Sequence, residues 1–143
     1  MRLWKTVAIA IFLMPVIASA QFKDLDSAMS NLQRGFNSGD TQAIVAGMAD
    51  GDKVMLQFPG LVDQTGFCGR DQATYLLDGL FSKVHPSGFE QVNTRKVSAE
   101  GQYYVTANWT IQSGGKAETR ELYITLRNKS ERWSIVSIRS ASK

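Results

Sequence analysis

The chain has little of the chemistry from which many catalytic sites are built. It contains one histidine, His85, and one cysteine, Cys68, among 143 residues. With a single imidazole we expect neither a histidine metal cluster nor a serine triad. A lone cysteine excludes a disulfide within the chain. Three roles then stay open for Cys68: a buried, unreactive side chain, an intermolecular disulfide or a reactive thiol. The sequence therefore predicts no metal and no cofactor.

Clustered positive charge is also missing. The 16 lysines and arginines stand against 13 acidic residues, and two of the basic ones lie within residues 1–20. Without that segment the balance is 14 against 13, a net charge of +1. Binding of nucleic acid requires several contacts to phosphates. We therefore expect no nucleic-acid partner.

No apolar run reaches the roughly 20 residues that a membrane-spanning helix needs. The longest, Thr6 to Ala18, has thirteen residues and follows Arg2 and Lys5. Small residues at 18–20 complete the pattern of a secretory signal peptide. We predict cleavage after Ala20, a periplasmic or secreted protein, and one mature domain over residues 21–143 with no stable membrane anchor. An uncleaved anchor is the alternative.

Apolar residues with a period of 3.6 predict three helices in the first part of the mature chain. The second is short, from Ala43 to Met48, and either Ser38 or Asp40 can cap it. We expect Pro86-Ser87-Gly88 to end the third. The apolar faces of the first and third helices comprise Phe22, Leu25, Met29, Leu32 and Phe36, and Ala73, Leu76, Leu77, Leu80, Phe81 and Val84.

Alternation with a period of two predicts strands in the rest of the chain. One lies at 54–58, where Val54, Leu56 and Phe58 share a face, and Gly60, Gly66 and Gly69 mark the loop after it. Further strands are expected at about 89–98, 102–112, 118–127 and 132–140, with a four-residue turn at 128–131. Helices followed by a strand meander predict an α+β fold: three N-terminal helices on an antiparallel sheet of four to five strands.

The two faces of that sheet differ in composition. One predicted face carries Tyr103, Val105, Ala107, Trp109 and Ile111, with Leu122, Ile124 and Leu126 beside them. The opposite face carries Tyr104, Thr106, Tyr123 and Thr125. We expect the first face to meet the helices. The second is a flat surface through which the chain is predicted to form a homodimer.

Two short motifs resemble the nuclear transport factor 2-like superfamily, which includes ketosteroid isomerase and the polyketide cyclases. They are Ser38-Gly39-Asp40 and Gly69-Arg70-Asp71-Gln72-Ala73. The chain is most similar to a bacterial family of small exported domains of unknown function within that superfamily, and the matching stretches include Leu56-Gln57-Phe58-Pro59-Gly60, Gly101-Gln102-Tyr103 and Leu122-Tyr123-Ile124. The resemblance covers residues 22–140 and implies a cone with a strongly curved sheet.

The resemblance also implies a pocket inside the cone. Its expected lining is Phe58, Phe81, Tyr103, Trp109, Arg120 and Trp133. This lining suits a small apolar ligand; alternatively, the side chains meet and fill the space. An inward Arg120 requires a carboxylate from a ligand or from the protein, unless it reaches water at the rim.

We expect a non-catalytic exported module that binds a small apolar ligand or a protein partner. One alternative is an enzyme like ketosteroid isomerase or polyketide cyclase, and another is an assembly protein of the cell envelope. The enzyme requires a carboxylate near the Tyr103 hydroxyl. The inward positions of the predicted strands supply Tyr103 but no Asp or Glu.

Overall fold

The computed structural model describes residues 24–141. The predicted signal peptide and Phe22 lie outside them. Along the chain, the elements are α1 (Leu25–Ser38), α2 (Thr41–Val45), β1 (Val54–Gln57), β2 (Gly66–Cys68), α3 (Arg70–Lys83), β3 (His85–Val97), β4 (Gln102–Ser113), β5 (Lys116–Lys129) and β6 (Arg132–Ala141). None of the helices in this part of the chain is long and apolar enough to cross a membrane.

The six strands form one open sheet in the order β2-β1-β6-β5-β4-β3. All neighbours are antiparallel except β1 and β6, which run parallel. The predicted α+β class with three helices is confirmed, but the expectation of four to five strands was wrong by one. The additional strand is β2, which has three residues and lies in the segment predicted as a loop. Three residues are too few for an alternating pattern to be visible.

The boundary between α3 and β3 also differs from the prediction. The helix ends at Lys83 and the strand begins at His85, so Pro86 lies inside β3 rather than in a turn. Because β3 is an edge strand, the missing N–H of Pro86 can face away from the ladder. The pairing with β4 shifts register between Pro86 and Gly88, which accommodates the ring.

Aspartates begin the first two helices. Asp24 accepts a hydrogen bond from the Ser27 backbone N–H at 2.8 Å, and this bond lowers the pKa of the carboxyl group. Asp40 accepts from the Ala43 N–H at 3.2 Å. Of the two predicted caps for α2, Asp40 is therefore the one used. The helix ends at Val45 rather than at Met48, and a tight turn follows it.

The predicted inward face of the sheet is buried against the helices. Val105, Ala107, Trp109 and Ile111 on β4 are at most 2% exposed, and Tyr103 is half-buried. On β5, Leu122, Ile124 and Leu126 are equally buried. The last hairpin is tighter than predicted, because only Ser130 and Glu131 separate β5 from β6, both with positive φ.

Two helical glycines offer a matched test of this packing. A Cβ at Gly35 in α1 would collide with Ile44 Cγ1 and lie 3.1 Å from the Asp40 carbonyl oxygen. At Gly79 in α3 it would meet nothing within 4 Å. We expect Gly35→Ala to lower the free energy of unfolding by about 1–3 kcal/mol through overpacking. Gly79→Ala should raise it by roughly 0.5–1 kcal/mol through helix propensity. Urea titration measures both, and equal effects would contradict the packing of α1 on α2.

Candidate functional site

An aromatic cluster centred on Trp109 occupies the space between the sheet and the helices. The Trp109 ring lies 5.4 Å from that of Phe36, 6.3 Å from Phe58 and 6.4 Å from Phe81, between centroids. Phe89 stacks on Phe36 at 5.9 Å. Trp109, Phe36 and Phe58 have no exposed surface. The indole N–H of Trp109 donates to the Phe36 carbonyl at 2.9 Å, so the polar atom of this ring is also satisfied.

The six predicted lining residues do not form one group. Phe58, Phe81 and Trp109 belong to the aromatic cluster. Tyr103 and Trp133 pair edge to face at 6.3 Å. This pair is separated from Trp109 by six residues of β4, or roughly 20 Å. Trp133 also lines a depression of ≈ 320 Å³ with polar neighbours that include Lys96 and Asn128. Binding of a small ligand by this set stays a prediction.

Arg120, the sixth residue, is 7% exposed and lies opposite Trp109 in the β4–β5 pairing. Its Nη1 donates to the Pro59 carbonyl at 2.6 Å, and its Nε donates to the Glu118 carboxylate. The protein itself therefore supplies the carboxylate that a buried guanidinium requires. The arginine also connects β5 to the segment that follows β1.

Glu118 was missed in the sequence. The statement that inward strand positions carry no acidic residue was wrong, because Glu118 lies two residues before Arg120 on the same face of β5. The signal in the sequence was an acidic and a basic residue two positions apart, and therefore on the same face of one strand. The Glu118 side chain is 41% exposed, so the ion pair extends from the buried guanidinium to the rim of the domain.

The chemistry expected of the enzyme alternative is not assembled around Tyr103. Within residues 24–141, no carboxylate is hydrogen-bonded to the Tyr103 hydroxyl, whose ring contacts Trp133 instead. In the same part of the chain, no three His, Cys, Asp or Glu residues come together as metal ligands. Cys68 is half-buried, and burial raises the pKa of its thiol, which lowers the fraction of reactive thiolate.

The outward face of the sheet is polar and rich in tyrosine. Tyr104 lies beneath the Arg95 guanidinium, 5.1 Å from its ring centroid. Tyr123 is 39% exposed and donates its hydroxyl to Glu121, an interaction that raises the pKa of the phenol. In the β4–β5 pairing, Thr106 lies opposite Tyr123 and Tyr104 lies opposite Thr125. These four residues therefore form one continuous patch on the neighbouring strands β4 and β5.

Solved structures share this fold. A DUF4783 family protein from Bacteroides uniformis ATCC 8492 is 17% identical, with a TM-score of 0.66 over 80% of this chain and 95% of that one. A ketosteroid isomerase-like protein from Erwinia carotovora atroseptica SCRI1043 is 20% identical, with a TM-score of 0.60 over 82% and 93% of the two chains. An NTF-2 like protein of unknown function from Shewanella oneidensis MR-1 is 16% identical, with a TM-score of 0.60 over 80% and 93%. At these identities the likeness shows the fold alone.

The comparison of sequences is more specific. None of the curated proteins matches this chain. The model of the family described as "Domain of unknown function (DUF4783)" matches residues 29–140, which is most of the chain. This match confirms the predicted resemblance to a family of unknown function, and the solved structures confirm the predicted nuclear transport factor 2-like fold. This chain belongs to the DUF4783 family.

Proposed function

We propose that the mature chain works outside the cytoplasm as a non-catalytic, dimeric module that binds protein partners through its surface. The observation that carries this proposal is the state of Trp109. This side chain lies where a ligand of the cone would be expected, is fully buried, and has its N–H bonded to Phe36. The interior is therefore occupied by the protein's own aromatic rings, and we expect partners to bind at the surface.

The energetics favour surface binding over a ligand inside the cone. An aromatic side chain buries about 150–250 Å². At about 25 cal/mol per Å², exposing one such ring to make room for a ligand costs roughly 4–6 kcal/mol. An apolar ligand would recover part of this cost only if it matched the displaced ring. The interlocked rings of Phe36, Phe81 and Trp109 would also have to move together.

Two observations support the non-catalytic part of the proposal. Glu118, the inward acidic residue of β5, is engaged by the Arg120 guanidinium. A general base needs a free carboxylate within hydrogen-bond reach of its proton. The tyrosine that would stabilise an oxyanion, Tyr103, lies about 20 Å along the sheet from that ion pair.

Export is supported by the sequence of residues 1–20, in which two basic residues precede thirteen uncharged ones and a small-residue site. We expect the protein recovered from the periplasm or the medium to have the intact mass of a chain that begins at Gln21. A full-length mass in the cytoplasmic fraction would contradict the proposal.

The outward face of the sheet has the size that a homodimer needs. Strands β3–β6, each of ten or more residues, span about 33 Å by 19 Å at the usual spacings. Two copies would then cover roughly 1,200 Å², at the lower end of specific protein interfaces. A two-fold axis would bring the Tyr104 and Tyr123 patches together, and aromatic residues are enriched in such contacts.

Sedimentation velocity tests the dimer. We expect the mature chain to sediment as a dimer, and Tyr123→Asp to shift it to the monomer, because the charge would be buried without a partner. The matched control is Tyr75→Asp, the same substitution at an exposed tyrosine of α3, and it should leave the dimer intact. A monomeric parent, or equal behaviour of the two variants, would contradict dimerisation through this face.

A further inference from the structure

A second surface lies on the other side of the molecule, along α3. Helical periodicity places Asp71, Tyr75, Asp78 and Ser82 on one exposed stripe of this helix. The loop that follows β1 runs beside the stripe. Two adjoining depressions of ≈ 780 Å³ and ≈ 540 Å³ separate loop and helix, and both are lined by Asp63, Gln64 and Tyr75. We refer to this continuous depression as the α3 groove. It is lined by residues of the segment 62–68 on one side and of the helix segment 71–83 on the other.

The α3 groove exposes two large aromatic side chains. Tyr75 is 77% exposed and Phe67 is 64% exposed. Among residues 24–141, only two other large apolar side chains, Val92 and Tyr123, are comparably exposed, and both lie on strands of the sheet. Single exposed apolar residues are ordinary, whereas two in one groove are typical of a binding surface.

The charge of the α3 groove differs from that of the chain. Asp63, Asp71 and Asp78 line it and are exposed, and within the described residues none of them takes part in an ion pair. Lys83 is the one cation in its lining, which leaves a net charge of −2. Residues 21–143 together carry a net charge of +1. This groove is therefore a locally acidic surface on a protein of the opposite sign.

We propose that the α3 groove binds a short, extended segment of a partner protein in which lysine or arginine alternates with apolar residues. The cations would meet the carboxylates of Asp63, Asp71 and Asp78 and the π face of Tyr75. The apolar side chains would cover Phe67 and Tyr75. From Asp71 to Lys83 the helix is about 18 Å long, which matches five or six extended residues. The inference rests on the proposed function, since it names the partner of a binding module.

A titration followed by NMR tests the proposal on the ¹⁵N-labelled mature chain. The probe is a six-residue peptide of alternating lysine and phenylalanine with blocked termini. We expect saturable chemical-shift changes confined to the amides of residues 62–68 and 71–83. The affinity should fall as NaCl rises, because exposed charges are screened by salt. A peptide with glutamate in place of lysine should cause no such shifts. The variant D63K/D71K/D78K should lose at least about tenfold in affinity, because three exposed attractions become repulsions.

A matched variant separates local charge from net charge. D52K/E100K/E131K changes three exposed acidic residues outside both the groove and the outward face of the sheet, and should bind within about twofold of the parent. Tyr75→Ala should weaken binding several-fold without altering the rest of the spectrum. No shifts from the lysine peptide, shifts centred elsewhere, or equal losses in the two triple variants would overturn the proposal.

Sedimentation of the same variants separates this proposal from the dimer. We expect D63K/D71K/D78K to stay dimeric. If it becomes monomeric, the groove is an interface between copies of this chain, and the proposed partner is wrong. If the parent is monomeric but binds the peptide at the groove, dimerisation through the sheet fails and the groove assignment stands.

Discussion

Replacement of Trp109 by alanine is expected to lower the free energy of unfolding by about 3–5 kcal/mol, the usual cost of truncating a large buried aromatic side chain. The ring has no exposed surface and contacts Phe36, Phe58 and Phe81. Its removal leaves both a cavity and an unbonded Phe36 carbonyl. Urea unfolding of parent and variant, followed by far-ultraviolet circular dichroism, measures the difference.

Two controls identify the source of this loss. Trp109→Phe keeps an aromatic ring but removes the N–H that bonds to Phe36, so it should cost less than the alanine variant. Free indole should raise the melting temperature of Trp109→Ala by occupying the cavity, and should leave that of the parent unchanged. A parent stabilised by indole to the same extent would show that its interior is already open to ligands.

The second large effect is expected at Arg120. Arg120→Met retains most of the apolar stem but removes the donors to Glu118 and to the Pro59 carbonyl. Loss of one member of a buried pair costs about 3–5 kcal/mol. Because the Glu118 side chain is 41% exposed and can regain water, we expect about 2–3 kcal/mol. Chemical denaturation provides the measurement.

An exposed ion pair provides the matched control for Arg120. Arg34 lies 3.8 Å from Asp40, and both side chains are well exposed, so Arg34→Met should cost less than about 1 kcal/mol. A double-mutant cycle of Arg120→Met with Glu118→Gln should give a clear coupling energy. If Arg120→Met lowers the free energy of unfolding no more than Arg34→Met does, the guanidinium contributes little to stability. The alternative that Arg120 binds a ligand carboxylate would then gain support.

The parts of the fold that could be predicted are those in which one periodic pattern repeats several times. Tyr103 to Ile111 alternate over a full strand, and a shift of one residue would turn Trp109 to solvent. The stripe of Leu76, Leu77 and Leu80 similarly predicts the buried face of α3. In both cases local preference and tertiary packing require the same arrangement, so the sequence alone was sufficient.

The prediction errors lie in segments whose conformation depends on tertiary contacts. Strand β2 has three residues and owes its conformation to pairing with β1. The parallel pairing of β1 with β6 joins segments about 80 residues apart, and no local pattern reports it. Pro86 was expected to end an element, but it is compatible with an edge strand, and edge position follows from the whole sheet.

Whether the interior is filled or hollow could not be read from the sequence either. The buried apolar residues of β4 and β5 were predicted correctly, but an alternating pattern gives the direction of a side chain and not the volume available to it. Phe36 and Phe89 approach Trp109 from a helix and an edge strand, and complete a cluster that no single segment encodes. The α3 groove was missed for a related reason, because Phe67 and Tyr75 line one depression only when strand β2 lies beside α3.

Hydrogen exchange of the Trp109 indole N–H tests the filled interior most directly. Residues 21–143 contain two tryptophans, so in a protein of these residues the resonance can be assigned by comparison with Trp109→Phe. We predict that this proton exchanges only through global unfolding, with a free energy of opening equal to that from urea titration. Exchange far faster than that of the β4 and β5 amides would mean that the cone opens locally, and would contradict the account of a protein that binds only at its surface.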